Sequence, residues 1–286
     1  MISKGFADYL RETNSTELVE KFSDYTLDNF SEKGIPVIIA ARNEEKDLPA
    51  TLIALAGSTC EVWPIVIENG SIDKTYEVAK KMGAHVLKSK LPFKMAALQT
   101  GVNELNRLYR LDEPVLFTDA DSLVGPTWAE TLSNAVNGNK LMCASGRAIA
   151  EYGPSKIADC LGTFAMDSQD LKRFVYKEHP VGRGDNSAIN FADDQDAIAT
   201  YMDINPKFFI GEDDMIFDIL EKQHNAKFKK VFGRFATVSS RGDRFKKASD
   251  RVKCVLPHWQ DHLKSLYIDD YAGIEPDKVY KNHTSS

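Results

Sequence analysis

Short apolar segments alternate with amphipathic helical segments between residues 34 and 120, and this alternation is the strongest constraint on the fold. Each apolar segment is nearly continuous, which is typical of a strand covered on both faces of a parallel sheet. The repeated order of strand, helix and strand predicts an open, mainly parallel sheet flanked by helices. The predicted strands are Gly34–Ala41, Val62–Ile67, Ala84–Leu87 and Val115–Phe117.

Three of these strands lead directly into clusters of polar residues, which are Arg42–Glu45, Glu68–Ser71 and Asp119–Asp121. Ligands of open parallel sheets bind beyond the carboxyl ends of the strands, where these clusters lie. One such cluster alone would be an ordinary turn, because Asp, Asn and Ser favour turns. Three clusters at the same edge of one sheet indicate a binding crevice.

Asp119 and Asp121 are separated by one small residue at the end of the fourth predicted strand. Two carboxylates that close repel each other unless a cation lies beside them. Mg²⁺ and Mn²⁺ prefer such oxygen ligands, and Mg²⁺ sites are often completed by substrate phosphates. The pair therefore favours a metal and diphosphate site, with a solvated turn as the alternative.

The sequence lacks both glycine-rich phosphate-binding motifs. No Gly-x-Gly-x-x-Gly follows the first strand, and no Gly-x-x-x-x-Gly-Lys-Ser/Thr occurs anywhere in the chain. Any phosphates must then be held by a metal and by side chains, which again indicates Asp119 and Asp121.

The composition narrows the range of partners and locations. The formal net charge is −6, which argues against a nucleic-acid partner because proteins that bind phosphate backbones are usually basic. No run reaches the roughly 20 apolar residues of a membrane-spanning helix, and residues 1–33 are too polar for a signal peptide. The four cysteines show no metal spacing and are expected to be reduced. These features favour a cytoplasmic protein, with peripheral membrane association left open.

The remaining sequence completes the domain organisation. Residues 1–33 are expected to form a helical extension, with Asn14 as a helix cap, and residues 246–286 a second one at the other end. Residues 34–245 are expected to form the main domain, with a first half at 34–140 and a second half at 141–245. In the second half, a loop at residues 182–190 precedes a short strand, and consecutive acids at 212–214 open a helix.

Six short motifs, in order over residues 35–245, resemble those of family 2 glycosyltransferases with the GT-A fold. That fold is a Rossmann-like α/β architecture with a mixed, mainly parallel central sheet. The motifs are Pro36–Glu45, Glu68–Thr75, Lys94–Leu98, the Asp-x-Asp motif Asp119–Asp121, Gly184–Ala188 and Gly211–Asp214. Each motif is weak alone, and their common order makes the resemblance specific.

The resemblance implies a nucleotide-diphosphate sugar as donor and Mn²⁺ or Mg²⁺ as cofactor. It also implies that residues 34–140 are the nucleotide-sugar-binding half of the domain and residues 141–245 the acceptor half. Asp121 would ligate the metal, and Asp119 would contact the ribose or the metal through water. Glu68 would accept a hydrogen bond from the base, which is typically uracil. The residues implied to contact the donor are Ala41, Arg42, Glu44, Glu68, Lys94, Asp119, Asn186 and Arg241.

Asp213 is the candidate general base, and Asp214 is the second candidate. A helix N-terminus favours the ionised carboxylate, which can take the proton of an acceptor hydroxyl as the oxygen attacks the anomeric carbon. Attack opposite the leaving group inverts the configuration of the sugar. The alternative for both residues is ordinary helix capping by acids in a first turn.

Three other functions compete with an inverting glycosyltransferase. A nucleotidyltransferase also combines a nucleotide site with metal-binding aspartates, but it generally carries a glycine-rich loop after the first strand. A non-catalytic scaffold that binds nucleotide sugars is the second rival, and a retaining mechanism is the third. The acceptor is left open among a glycan, a lipid-linked hydroxyl and a small molecule, and so is oligomerisation.

Overall fold

The structure is a computed structural model that describes residues 6, 9–10, 12–108, 110–138, 140–146, 148–150, 186–207, 212–231 and 237–239. The sequence predictions that lie outside the described residues include residues 182–185 of the predicted loop, Arg241 and the extension 246–286. Within the described part of the chain, no helix is both long enough and apolar enough to cross a membrane.

The described elements follow the predicted alternation of strands and helices. The helices are α1 (Ser15–Asn29), α2 (Leu48–Ala56), α3 (Thr75–Lys81), α4 (Lys94–Arg107), α5 (Trp128–Val136), α6 (Gln195–Asp203) and α7 (Glu212–His224). The strands are β1 (Phe30–Ala41), β2 (Val62–Glu68), β3 (His85–Lys88), β4 (Val115–Asp119), β5 (Ser122–Leu123), β6 (Met142–Gly146), β7 (Ala148–Ala150), β8 (Ser187–Asn190), β9 (Lys227–Val231) and β10 (Thr237–Ser239).

Seven of the described strands form one sheet in the order β3-β2-β1-β4-β8-β6-β9. The pairs β1–β2, β1–β4, β2–β3 and β6–β9 are parallel, whereas β8 runs antiparallel to both β4 and β6. A small second sheet has the order β5-β10-β7. The prediction of an α/β fold with a mixed, mainly parallel sheet is confirmed.

Apolar clusters cover both faces of the large sheet, as the continuous apolar runs predict. Alternate residues of β1 belong to opposite clusters, with Val37 and Ile39 in one and Ile38 in the other. The first cluster also holds Leu18 of α1 and the fully buried Trp128 of α5. Burying a large apolar side chain contributes about 1.5–3 kcal/mol, so strands buried on both faces hold the two helix layers firmly in place.

The N-terminal helix α1 is capped as the sequence predicts. The side chain of Asn14 accepts a hydrogen bond from the backbone N–H of Glu17 at 2.9 Å. Leu18 and Val19 are buried in the first apolar cluster, which also contains residues of α2. The helix therefore packs on the body of the protein through a short apolar face.

Cys60 and Cys143, the two cysteines within the described residues, are free thiols. Burial raises the pKa of the Cys143 thiol to about 12. At neutral pH this side chain is therefore protonated, and it behaves as a small apolar residue of β6.

Several element boundaries differ from the predicted ones. Strand β1 begins at Phe30 rather than at Gly34, with an irregular register because both Phe30 and Ile35 pair with Val62. A β-carbon on Gly34 would lie 2.6 Å from the backbone nitrogen of Val62, so glycine permits this close approach. Strand β4 continues to Asp119, beyond the predicted end at Phe117.

Helix α3 is preceded by an aspartate that bonds to its first residue without occupying the cap position. Lys74 occupies the cap position, and the helix starts at Thr75. Asp73 accepts a hydrogen bond from the backbone N–H of Thr75 at 3.0 Å. Gly83 follows the end of the helix with φ = +86°, a conformation that glycine commonly adopts there.

Candidate active site

The carboxyl ends of β2, β1 and β4 lie side by side at one edge of the large sheet. Ala41 pairs with Glu68, and Ala40 pairs with Asp119, so the ends of the three strands are in register. Strand β8 starts at the same edge, because its first residue, Ser187, pairs with Phe117 of β4. The polar residues that follow these strands therefore border one crevice.

The loop after β1 is tied to the loop after β2 by backbone-to-side-chain hydrogen bonds. Asn43 donates its backbone N–H to Ser71 Oγ at 3.1 Å, and its Oδ1 accepts from the N–H of Ile72 at 2.9 Å. The backbone N–H of Glu44 donates to Thr75 Oγ1 at 2.8 Å. Asn43 has φ = +56°, a conformation that asparagine tolerates better than most residues. These bonds give the crevice a fixed wall.

Glu68, the predicted base-binding residue, ends β2 and is 7% exposed. Its Oε1 accepts a hydrogen bond from the backbone N–H of Ser71. One carboxylate oxygen therefore stabilises the turn. The predicted hydrogen bond to a base concerns the other oxygen.

Asn69 is a polar residue of this wall for which no separate role was predicted. It is 4% exposed, and its backbone N–H donates to the carbonyl of Ala41 at 3.0 Å. Its buried Oδ1 has no hydrogen-bond partner among the described residues, which is a costly arrangement unless a ligand or water donates to it. The position of an asparagine directly after a buried strand could have indicated a site residue. The burial of Asn69, however, depends on the neighbouring strand and could not be predicted.

Asp119 forms an ion pair with Lys94 across the crevice. The distance from Lys94 Nζ to Asp119 Oδ1 is 2.9 Å, and the two side chains are 32% and 18% exposed. Lys94 is the first residue of α4, while Asp119 is the last residue of β4. Two residues that the resemblance implies for donor binding are thus in direct contact.

The segment between the two aspartates is anchored from α2. Thr51 is fully buried, and its Oγ1 donates to the carbonyl oxygen of Ala120 at 2.7 Å. Asp121 is 3% exposed, and the Oγ of the adjacent Ser122 is buried with no hydrogen-bond partner in the described ranges. The second aspartate therefore lies deeper in the protein than Asp119.

Replacing Thr51 with valine is expected to loosen this anchor, because valine keeps the shape of threonine and removes the hydroxyl. The loss of a buried hydrogen bond is expected to lower the free energy of unfolding by about 1–3 kcal/mol. Chemical denaturation measures this change, and Thr51→Ser, which keeps the hydroxyl, is the matched control. Equal stabilities of the valine and serine variants would contradict a structural role for this bond.

Asn186 lies at the same edge but is completely buried. Its Oδ1 accepts a hydrogen bond from Trp128 Nε1 at 2.7 Å, and its Nδ2 has no hydrogen-bond partner within the part of the chain that the structure describes. A β-carbon on Gly146 would lie 2.5 Å from Asn186 Oδ1, so the glycine makes room for the amide. Asn186 thus joins α5 to β8 behind the crevice, and its contact with a donor sugar stays a prediction.

The predicted base residues occupy the first turn of α7, as the sequence indicates. Ile216 and Phe217 follow Asp213 by three and four positions, which places the three residues on one face of the helix. Ile216 and Phe217 line a pocket together with Phe117 and Ser187. Because Phe117 lies two residues before Asp119 in β4, this face of α7 packs close below the crevice.

The residues at the end of β4 fit a divalent cation. Two carboxylates provide the hard oxygen ligands that Mg²⁺ and Mn²⁺ accept. The described part of the chain brings together no group of three or more His, Cys, Asp and Glu side chains that could hold a metal ion. A pair of carboxylates is sufficient where substrate phosphates complete the coordination shell.

Solved structures with the same architecture confirm the GT-A fold. A mannosyltransferase from Pyrobaculum calidifontis, solved with GDP-Man and Mn²⁺, aligns with a TM-score of 0.52 and 13% identity. The alignment covers 90% of this chain and 75% of that one. TarS from S. aureus aligns with a TM-score of 0.51 and 15% identity, over 72% of this chain and 36% of the other. The structure thus defines an α/β protein of the GT-A class.

The chain belongs to glycosyl transferase family 2, whose family model matches residues 37–196. The matched region contains every described side chain of the crevice.

Curated proteins that match parts of this chain include 4,4'-diaponeurosporenoate glycosyltransferases. The protein from Staphylococcus haemolyticus is 48% identical over 54 residues, which is 19% of this chain and 14% of that protein. The protein from Staphylococcus aureus is 34% identical over 114 residues, or 37% of this chain and 29% of the relative. The chain thus spans less than a third of the length of either relative.

Proposed function

We propose that the protein is a metal-dependent inverting glycosyltransferase that uses a nucleotide-diphosphate sugar, with UDP as the nucleotide. The donor sugar is transferred to an acceptor hydroxyl. The observation that carries the proposal is the alignment of Glu68, Ala41 and Asp119 at one edge of the sheet, with Asp121 directly beyond it. Family membership supports the reaction class, and the mannosyltransferase with the same fold was solved with a donor and a metal of the proposed kinds.

The hydrogen-bond acceptors beside β2 support a base whose edge carries an N–H group. Glu68 has a second carboxylate oxygen, and the buried Oδ1 of Asn69 accepts no hydrogen bond from the described part of the protein. Uracil and guanine present a ring N–H on this edge, whereas the corresponding nitrogen of cytosine is an acceptor. The wall is therefore suited to UDP or GDP and poorly suited to CDP.

The proposed reaction divides the work between the two sides of the crevice. Asp119 and Asp121 would hold the metal, which when bound would supply Lewis-acid stabilisation of the charge on the leaving diphosphate. Asp213 takes the proton of the acceptor hydroxyl while the acceptor oxygen bonds to the anomeric carbon. The bond from that carbon to the diphosphate oxygen breaks on the opposite side, so the product has the inverted configuration.

Calorimetric titration of the protein with UDP, GDP, dTDP and CDP, each with and without Mn²⁺, tests this function. We expect UDP to bind only with Mn²⁺ and CDP to bind weakly or not at all. Preferential binding of GDP would change the assigned base and keep the reaction class. If a folded protein binds none of the four nucleotides in the presence of Mn²⁺, the glycosyltransferase proposal is wrong and a scaffold is favoured.

The acceptor is a glycan, a lipid-linked hydroxyl or a small molecule. The relatives act on 4,4'-diaponeurosporenoate according to their names, but their similarity to this chain covers at most 37% of it. A screen of donor sugars by UDP release, followed by the acceptor classes in turn, identifies the substrates. A nucleotidyltransferase would instead release pyrophosphate from a nucleoside triphosphate, which a separate pyrophosphate assay with that substrate detects.

A further inference from the structure

The ion pair between Lys94 and Asp119 joins a cation to a carboxylate that is proposed to face a metal. The pair has good geometry, with 2.9 Å between Lys94 Nζ and Asp119 Oδ1. Both side chains remain partly exposed, so each can exchange its partner without unfolding of the surrounding structure.

The position of Lys94 makes this contact informative. It is the first residue of α4, where the helix dipole disfavours a positive side chain. The helix has Phe93 at its cap position, which provides no capping side chain. The ammonium group and the helix N-terminus thus place positive charge together at the crevice, which suits an anion such as a diphosphate.

A divalent cation and the ammonium group compete for Asp119. A metal held by Asp119 would be close to Lys94 Nζ, because the lysine contacts the same carboxylate. The positive charges of the metal and of the ammonium group would then repel each other strongly where solvent screening is reduced. Lysine has a long, flexible stem and a compact charge, so its head can move while its backbone stays fixed. A diphosphate that enters with the metal offers it a new anionic partner.

We propose that Lys94 is a displaceable counter-ion of Asp119, an inference that rests on the proposed function. In the empty crevice, Lys94 neutralises Asp119 and lowers the affinity of the site for a metal alone. When the nucleotide binds, Lys94 pairs with the diphosphate and releases Asp119 to the metal. Metal and nucleotide binding are therefore coupled, and each increases the affinity for the other by the same factor.

The test measures Mn²⁺ binding without any turnover, by electron paramagnetic resonance of the free ion. Lys94→Met keeps most of the length of the side chain and removes its charge. This variant is expected to bind Mn²⁺ alone about tenfold more tightly than the wild type, which lies within the usual range of coupling between sites. Its affinity for UDP in saturating Mn²⁺ is expected to fall, and the gain in Mn²⁺ affinity caused by UDP is expected to shrink.

Two further variants control the measurement. Lys81→Met removes an exposed lysine from the end of α3 and should match the wild type in both affinities. Lys94→Gln removes the same charge with a polar side chain and should reproduce Lys94→Met, which guards against a folding defect in one variant. Circular dichroism confirms that each variant is folded.

The outcomes separate this inference from the proposed function. If the wild type binds UDP with Mn²⁺ but neither Lys94 variant changes the affinity for Mn²⁺ alone, the counter-ion role is wrong and the function stands. If the folded wild type binds no nucleotide even with Mn²⁺, both proposals are overturned.

Discussion

The Asp121→Ala variant is expected to lose Mn²⁺-dependent binding of UDP and to transfer sugar at least about a thousandfold more slowly than the wild type. Metal-assisted charge stabilisation contributes several kcal/mol, and each 1.36 kcal/mol corresponds to a factor of ten in rate. Asp121 is 3% exposed, so water cannot easily take the place of the carboxylate oxygens that the alanine variant lacks. Calorimetry measures the loss of binding, and UDP release measures the loss of turnover.

Asp112→Ala is the matched control for this variant. Asp112 is exposed and precedes β4, so it lies at the opposite end of the strand from the crevice. The control should bind UDP and Mn²⁺ as the wild type does. If Asp121→Ala remained folded and kept Mn²⁺-dependent binding of UDP, the metal would be held elsewhere and the proposed site would be wrong.

The sheet was predictable because burial on both faces leaves a clear pattern in the sequence. Strand β2 is buried at all seven positions, so its apolar run could be recognised without knowledge of its neighbours. The polar residues that follow such runs could be assigned to one edge by the geometry of parallel strands alone. The order of the motifs then indicated the family, which the family model confirms.

Elements with weaker apolar patterns were missed or shortened. Residues Phe30–Lys33 of β1 are polar or only partly buried, and they read as a connection to the helical extension. Helix α6 was not predicted, although Asp194 caps it by accepting hydrogen bonds from Asp196 and Ala197. Strand β9 was also missed, because this edge strand contains three lysines and only two apolar residues.

The contacts within the site could not be predicted, because they join residues distant in the sequence. The pairing of Lys94 with Asp119 depends on how α4 packs across the sheet. The burial of Asn186 depends on Trp128, which lies 58 positions earlier, and on the absence of a side chain at Gly146. Motifs identify residues that occur together, but tertiary packing determines which atoms of those residues remain available to a ligand.

Replacing Asp213 with asparagine is expected to leave donor binding unchanged and to slow transfer by about 10²–10⁴-fold, the usual contribution of a general base. Asparagine has nearly the shape of aspartate but cannot accept the proton of the acceptor. The position of the residue supports this choice, since Asp213 shares a helix face with Ile216 and Phe217. That face packs below the crevice, beside Phe117 and Ser187.

Asp214→Asn is the control that separates the two acids, because Asp214 lies one position further around the helix. Its three- and four-residue neighbours are Phe217 and Asp218, so its position on the helix differs from that of Asp213. Calorimetry should give both variants the affinity of the wild type for UDP with Mn²⁺, while UDP release should fall mainly in Asp213→Asn. Near-full transfer by Asp213→Asn, or an NMR spectrum showing a product with retained anomeric configuration, would exclude Asp213 as an inverting base.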